Sequence, residues 1–252
     1  MRRNPQAGAD PAFLDEKAAR KQADRQLMQD AMSGSLDAAA IEWTPGNTVA
    51  PALLSTPRLQ LRPWVDADRE PFAAMTADPE VMRHFPAALT RQESDAWIDR
   101  MMRKTAERGW GFWALDYLAE AASAPQFAGF TGLNVPDPAL PIGPCVEVGW
   151  RLAQPFWGMG LASEAARLSL RAGFESLNLE EIVAVTTLRN SRSRAVMQRL
   201  GMQESPADEF DHPAFPADNP EKRCCIYRLS RERWAGNLAA ATQPPNQSAP
   251  RS

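Results

Sequence analysis

The sequence predicts an α/β (α+β) fold in which one mixed, mostly antiparallel twisted sheet is flanked by helices. Three observations carry this. Strand-like runs come first, among them RLQLRPW, GFWALDYL, FAGFTGLNV and CVEVGWRL, and the first of them alternates with the period of two expected of a half-buried strand. A glycine-opened helix, an apolar strand and a second helix then form a βαβα half: PFWGMGLASEAARLSL, IVAVT and SRSRAVMQRL. A last strand, RCCIYRL, closes the pattern, and antiparallel strands followed by a βαβα unit place both kinds of pairing in one sheet.

A chain of 252 residues suits one medium domain with appendages, since domains commonly run to roughly 100–200 residues. We place the domain over 56–234, an N-terminal extension and linker over 1–55, and a disordered tail over 235–252. Within the extension, 11–32 is rich in helix formers and reads as a loosely attached helix. Residues 33–55, with Gly34, Pro45, Gly46 and Pro51, read as the linker. From Asn237 onward the chain lacks the hydrophobicity to order itself.

In the domain, Leu59 and Leu61 share one face of the first strand and Arg58, Gln60 and Arg62 the other. Pro63 ends it, and Asp66 or Asp68 caps a helix that turns Phe72, Met75 and Ala74 inward. Asp78-Pro79 turns into a short helical piece, PEVMRHF. Thr90 and Glu93 have capping-box spacing and open a helix with Trp97, Ile98, Met101 and Met102 on its apolar side, closed by Gly109. GFWALDYL and FAGFTGLNV read as an antiparallel hairpin. After the glycines, Leu161, Ala165, Leu168 and Ala172 mark a buried helix face ending near Asn178, and Gly201 ends the next helix.

Composition excludes several functions. A net charge of −3 carries no basic excess of the kind a nucleic-acid binder shows. No run of about 18 apolar residues exists to span a membrane, and MRRNPQAGADPAF is not followed by the apolar core of a leader, so a cytoplasmic protein is expected. Cys145, Cys224 and Cys225 have only His84 and His212 to join them. Adjacent cysteines on a strand point to opposite faces and lack the CxxC spacing of a zinc site, so buried reduced thiols and no metal are expected.

The chemistry concentrates between Glu147 and Met202. A strand ending in VEVGW, a glycine pair at Gly158 and Gly160 opening a helix, a second strand, and Asn190 opening another helix together make a groove for an elongated, phosphate-bearing cofactor. Glycines let the main chain approach the anion, and the unpaired N–H groups of the helix start face it. The segment resembles the acetyl-CoA site of the GNAT N-acetyltransferases, and more narrowly their RimJ/RimL-like branch. The resemblance implies acetyl-CoA as acetyl donor and, as acceptor in a ternary complex, a primary amine of either a protein N-terminus or a small molecule. It maps the pyrophosphate loop onto Pro155–Gly160, with Phe156, Trp157, Gly158, Met159, Gly160, Leu161 and Ala162 around the phosphates. Pro155 departs from the family pattern, in which Gln or Arg stands at the first position, while Gln154 sits one residue early.

By the same resemblance, Val148, Gly149 and Trp150 offer main-chain groups to pantetheine, and one of their amides stabilises the oxyanion. Asn190 and Ser193 line the acetyl-pantetheine arm; read from the residues alone, they are also good helix-start residues. Where many members carry a tyrosine that protonates the departing thiolate, this chain has Met197, which leaves Ser193 as the candidate general acid or as a positioning group only. Attack requires a neutral amine, so a base or a water chain is needed. Glu147 is the candidate base, against a structural pair with Arg151. His212, in a D-H-P element, shapes the acceptor end, anchors its loop or acts as base; His84 and Trp113 join it as acceptor-side candidates. The sequence leaves open a homodimer, and a non-catalytic acyl-CoA-binding module as the alternative function.

Overall fold

The computed structural model describes Val49, 54–118 and 124–242. The helix expected over 11–32, nearly all of the linker and the tail beyond 242 lie outside the described residues. The described sheet has eight strands in the order β1-β2-β3-β4-β5-β8-β6, with β7 also on β8. These are β1 (Leu59–Arg62), β2 (Phe112–Tyr117), β3 (Gln126–Asn134), β4 (Glu147–Leu152), β5 (Glu181–Thr187), β6 (Gln203–Glu204), β7 (Phe210–Asp211) and β8 (Arg223–Ser230). Every pairing is antiparallel except β4 with β5.

The helices are α1 (Arg69–Ala77), α2 (Arg91–Arg108), α3 (Leu161–Arg171), α4 (Ser191–Arg199) and α5 (Arg231–Thr242). On one face of the sheet, Val148, Leu152, Ile182, Ala184, Cys225 and Tyr227 pack with residues of α3 and α4. On the other, Ala114 and Phe130 pack with Phe72, Met75, Trp97, Ile98 and Met101 of α1 and α2. Alternation along β8 splits the adjacent cysteines as expected: Cys224 enters a small cluster with Val183 and Ile226, and Cys225 the main core. Burial pushes the thiols of Cys145 and Cys224 up to about 12 and that of Cys225 to about 11.

Local rules place several elements as expected. Glu93 N–H donates to Thr90 Oγ1 and Thr90 N–H to Glu93 Oε2, at 3.3 and 2.6 Å, which completes the capping box. Elsewhere tertiary packing redirects the chain. Thr76, not Ala74, turns inward in α1, because its hydroxyl donates to the Phe72 carbonyl at 2.9 Å and so is satisfied while buried. Asp68 does not cap α1; its carboxylate accepts from Val65 N–H and binds Arg62, which also binds Asp116. Residues 79–86 form turns rather than a helix between Pro79 and Pro86. Met102 is 37% exposed, beyond the stripe that α2 buries.

After α3 the chain continues as a π turn (Ala172–Ser176), which no residue pattern signals. The chain also stays helical past Trp234. Ser230 Oγ accepts from Arg233 N–H at 3.2 Å at the start of α5, and Trp234 stacks on Phe174 with ring centroids 5.7 Å apart. Helical order therefore runs to Thr242, where composition alone suggested a tail from 235.

Candidate active site

β4 and β5 start side by side and then part. Their one parallel register pair is Glu147 with Val183, and Val183 N–H donates to the Val146 carbonyl at 2.9 Å. On its other edge β4 keeps β3 throughout, down to Ala153 N–H on the Ala128 carbonyl. Alternation fixes which groups this leaves open. Residues 147, 149, 151 and 153 turn their main-chain groups to β3, and 146, 148, 150 and 152 turn theirs toward β5. Trp157 Nε1–H takes the Leu152 carbonyl at 2.8 Å. The 147–183 bridge uses the Val146 carbonyl and Val148 N–H, so the edge left facing the wedge is the Val148 carbonyl and the main chain of Trp150. Gly149 points its groups to β3, and its carbonyl accepts from Thr131 Oγ1 at 2.9 Å. Its lack of a side chain admits Phe112, whose ring atoms lie 3.0 Å from where a Cβ would stand.

The loop before α3 lies beside this wedge. Gln154–Phe156 is a short 3₁₀ turn that contains Pro155. Gly158 and Gly160 have φ of 77° and 78°, in the left-handed region that favours glycine, and a Cβ on either would meet nothing within 4 Å. Gly160 stands at the N-cap of α3, before Leu161 and Ala162, and gives the first turn no side-chain cap. The first turn of α3 thus keeps N–H groups that no side chain caps, together with the positive end of the helix dipole, which is what an anion requires. Arg58 supports the loop from just before β1: its Nη1–H donates to the Met159 carbonyl at 3.3 Å and its guanidinium pairs with Glu164 in the first turn of α3. Sequence reasoning missed this brace because its partners lie 106 residues apart. Arg192, from the start of α4, lies 4.5 Å over the Trp157 ring and adds positive charge beside the loop.

Asn190 caps α4: its Oδ1 accepts from Ser193 N–H at 3.1 Å and its Nδ2–H donates to Thr186 Oγ1 at 3.0 Å. The Ser193 side chain is half-buried, and its hydroxyl takes no partner among the described residues. Met197, one turn on, is 1% exposed in the core and cannot act as a proton donor.

On the opposite face, Glu147, Gly149 and Arg151 alternate with Val148, Trp150 and Leu152. Glu147 makes no hydrogen bond or ion pair among the described residues, and burial pushes its carboxyl up to about 7. The pair with Arg151 is not formed. Four residues along a strand separate their Cα atoms by roughly 13 Å.

His84 Nδ1 lies 2.8 Å from Glu221 Oε2, which also accepts from Thr187 Oγ1 at 2.7 Å. This joins residues 79–86, the 206–223 loop and the end of β5, and Phe85 of the first segment lies over Arg151 on the Glu147 face of β4. His212 Nδ1 accepts from Ala214 N–H at 3.1 Å, and its ring packs between Phe210 and Phe215. Burial holds its pKa below the usual value. Nδ1 is thus occupied as an acceptor, which ties the ring to its own loop. Trp113 does not belong to this face: strand alternation sends it into the α3-side core at 3% exposure, and Phe112 is the β2 aromatic beside β4.

A parted β4–β5 pair beside an uncapped, glycine-opened helix defines the class. The chain belongs to the GNAT acetyltransferases, whose family model, described as Acetyltransferase (GNAT) domain, matches residues 58–203. It is therefore an acyltransferase. It is 32% identical over 192 residues to the FsC-acetyl coenzyme A-N(2)-transacetylase of Aspergillus fumigatus, covering 72% of this chain and 77% of that one. The acetyltransferase from Agrobacterium tumefaciens superposes with a TM-score of 0.55 at 27% identity, over 70% of this chain and 92% of that chain. A GNAT-family acetyltransferase from Bacillus anthracis gives 0.58 at 22% identity, over 71% and 98%, a likeness of fold. Among the described residues no helix is long and apolar enough to cross a membrane.

Proposed function

We propose that this protein transfers the acetyl group of acetyl-CoA directly to the primary amine of a small molecule, both substrates being bound together. The observation that carries this is the wedge between β4 and β5, with the Val148 carbonyl and the main chain of Trp150 on one side and the uncapped start of α3 at its mouth. Phosphates would rest on the N–H groups of Gly158–Ala162, with Arg192 beside them, and pantetheine would pair with β4 as an added strand. Asn190 and Ser193 would line the arm. Glu147, titrating near 7, accepts the proton as the amine nitrogen attacks the thioester carbonyl carbon. An amide N–H of the β4 edge stabilises the oxyanion, the C–S bond breaks, and the thiolate takes a proton from the Ser193 hydroxyl or from water. A carboxyl with pKa near the working pH suits this exchange.

The small-molecule acceptor is favoured by the roof over that face. A polypeptide terminus needs an open groove, whereas His84, Glu221 and Thr187 tie both covering loops to β5. The Trp157–Gly160 loop followed by LASEAA supports placement in the RimJ/RimL-like branch, and the buried free thiols support a cytoplasmic location.

Calorimetric titration with acetyl-CoA tests the reading. Wild-type protein should bind, and Gly160→Trp, whose side chain would fill the space before α3, should bind at least about tenfold more weakly. No binding by the wild type would sink the acetyltransferase reading. Binding without thiol release on any amine would leave an acyl-CoA-binding module instead.

A further inference from the structure

Arg151 is 6% exposed, and its Nε and Nη1 are buried without a partner among the described residues. Its guanidinium lies 3.7 Å from the centroid of Phe85 and 5.5 Å from that of Phe130. The aromatic rings occupy its faces, while the N–H donors of a guanidinium radiate in its plane, so the rings leave those donors unsatisfied. A buried cation without a counter-charge is costly to the fold. Burial lowers its pKa, to about 9, with no carboxylate among the described residues close enough to oppose the shift, and the group remains cationic at neutral pH.

Its position gives this charge a use. Arg151 lies on the same face of β4 as Glu147, two pleats further along, where β4 has already left β5. Phe85 follows His84 in the loop that Glu221 ties to Thr187, so the guanidinium lies beneath the roof of the acceptor face. That face therefore holds a carboxyl at the mouth of the wedge and an unpaired planar cation roughly 13 Å further along the strand before side-chain reach is counted.

Resting on the acetyltransferase reading above, we propose that Arg151 is the anion anchor of the acceptor pocket and that the acceptor is a small amine bearing a carboxylate. The amine lies toward Glu147 and the carboxylate forms paired, in-plane hydrogen bonds with the guanidinium edge. Arg151 selects among acceptors and takes no part in proton transfer.

The test uses the full chain saturated with acetyl-CoA, with glycine, β-alanine, γ-aminobutyrate and ε-aminocaproate as acceptors, each beside its carboxamide. Thiol release gives kcat/KM for both members of a pair. For at least one spacing the carboxylate should be preferred by about 10–100-fold, the range of a charge-assisted bond. Arg151→Met, which keeps apolar volume on Phe85, should bring that ratio close to one. Equal use of acid and amide at every spacing by the wild type overturns the proposal, as does a preference that survives Arg151→Met. If that variant does not fold, the wild-type ratio decides, together with simple competition: propionate should raise KM for the preferred acceptor and propionamide should not. Failure of acetyl-CoA to bind at all is a different result and removes the acetyltransferase reading itself.

Discussion

At the scale of single residues, Glu147 and Arg151 are opposite cases of one effect: each is a desolvated ionisable group, Arg151 buried and Glu147 half-buried, without a counter-charge among the described residues. The carboxyl responds by holding its proton more tightly, with pKa near 7. A folded-state pKa raised above the ordinary 4.5 gives stability that is complete below 4.5 and lost as pH rises through about 7. Glu147→Gln has no such proton to lose. Its melting temperature should therefore exceed that of the wild type at about pH 8, and the advantage should vanish at about pH 4.5. Activity should move the other way. A base must be ionised, so wild-type kcat/KM should rise with pH through about 7, and Glu147→Gln should lose about 10²-fold or more together with that limb. A pH profile of thiol release beside thermal melts checks both halves. Glu147, Asn190 and Ser193 were legible in the sequence because their signals are local: strand alternation and an Asn-x-x-Ser helix start. Arg151 on Phe85 and His84 on Glu221 were not, since the latter pair lies 137 residues apart and only the finished fold brings such groups together.

Among the elements, the start of the sheet depends on a small ionic node. Arg62 of β1 binds Asp68 before α1 at 2.7 Å and Asp116 of β2 at 2.6 Å, and both carboxylates are nearly fully buried. Removing the shared cation leaves two buried charges without a partner. Arg62→Ala should thus cost about 3–5 kcal/mol, read as a fall in the denaturant midpoint, whereas an exposed pair such as Arg83–Glu80 should contribute under about 1 kcal/mol. Elements were most readable where local chemistry decides them. The Thr90–Glu93 box, the alternation of β1 and the stripe of α3 are of that kind. They were least readable where a distant contact decides. Sequence alone makes 235–242, the greater part of α5, a disordered tail, whereas the helix is anchored by Trp234 stacked on Phe174 and by Arg231 and Arg233 donating to the carbonyls of Leu179 and Gly201. In the π turn after α3, Gly173 lies so close to Ile182 and Leu133 that an added Cβ would stand 2.5 Å from Ile182 Cδ1, a contact between distant parts of the chain.

For the whole molecule, the order of strands is what turns a glycine loop into a site. β1 to β4 form one antiparallel run and β5, β8, β6 and β7 another, joined in the sheet at Glu147 and Val183. The glycine pair and Asn190 were visible from the start, yet nothing local in the sequence says where β4 and β5 separate, because that depends on how the two runs twist against each other. A ligand bridging the runs should stabilise the fold as a whole. Acetyl-CoA at about 100 times its Kd should add about 2.7 kcal/mol, seen as a rise in melting temperature that Gly160→Trp abolishes. The sheet can also be regarded as a book held open on a spine of one stitch. A pantetheine arm laid along β4 would sew in the missing stitches, so each turnover would bind the pages and each release would loosen them. Amide protons of β5 and β8 should then exchange more slowly with acetyl-CoA present, although these strands lie beyond the phosphate loop.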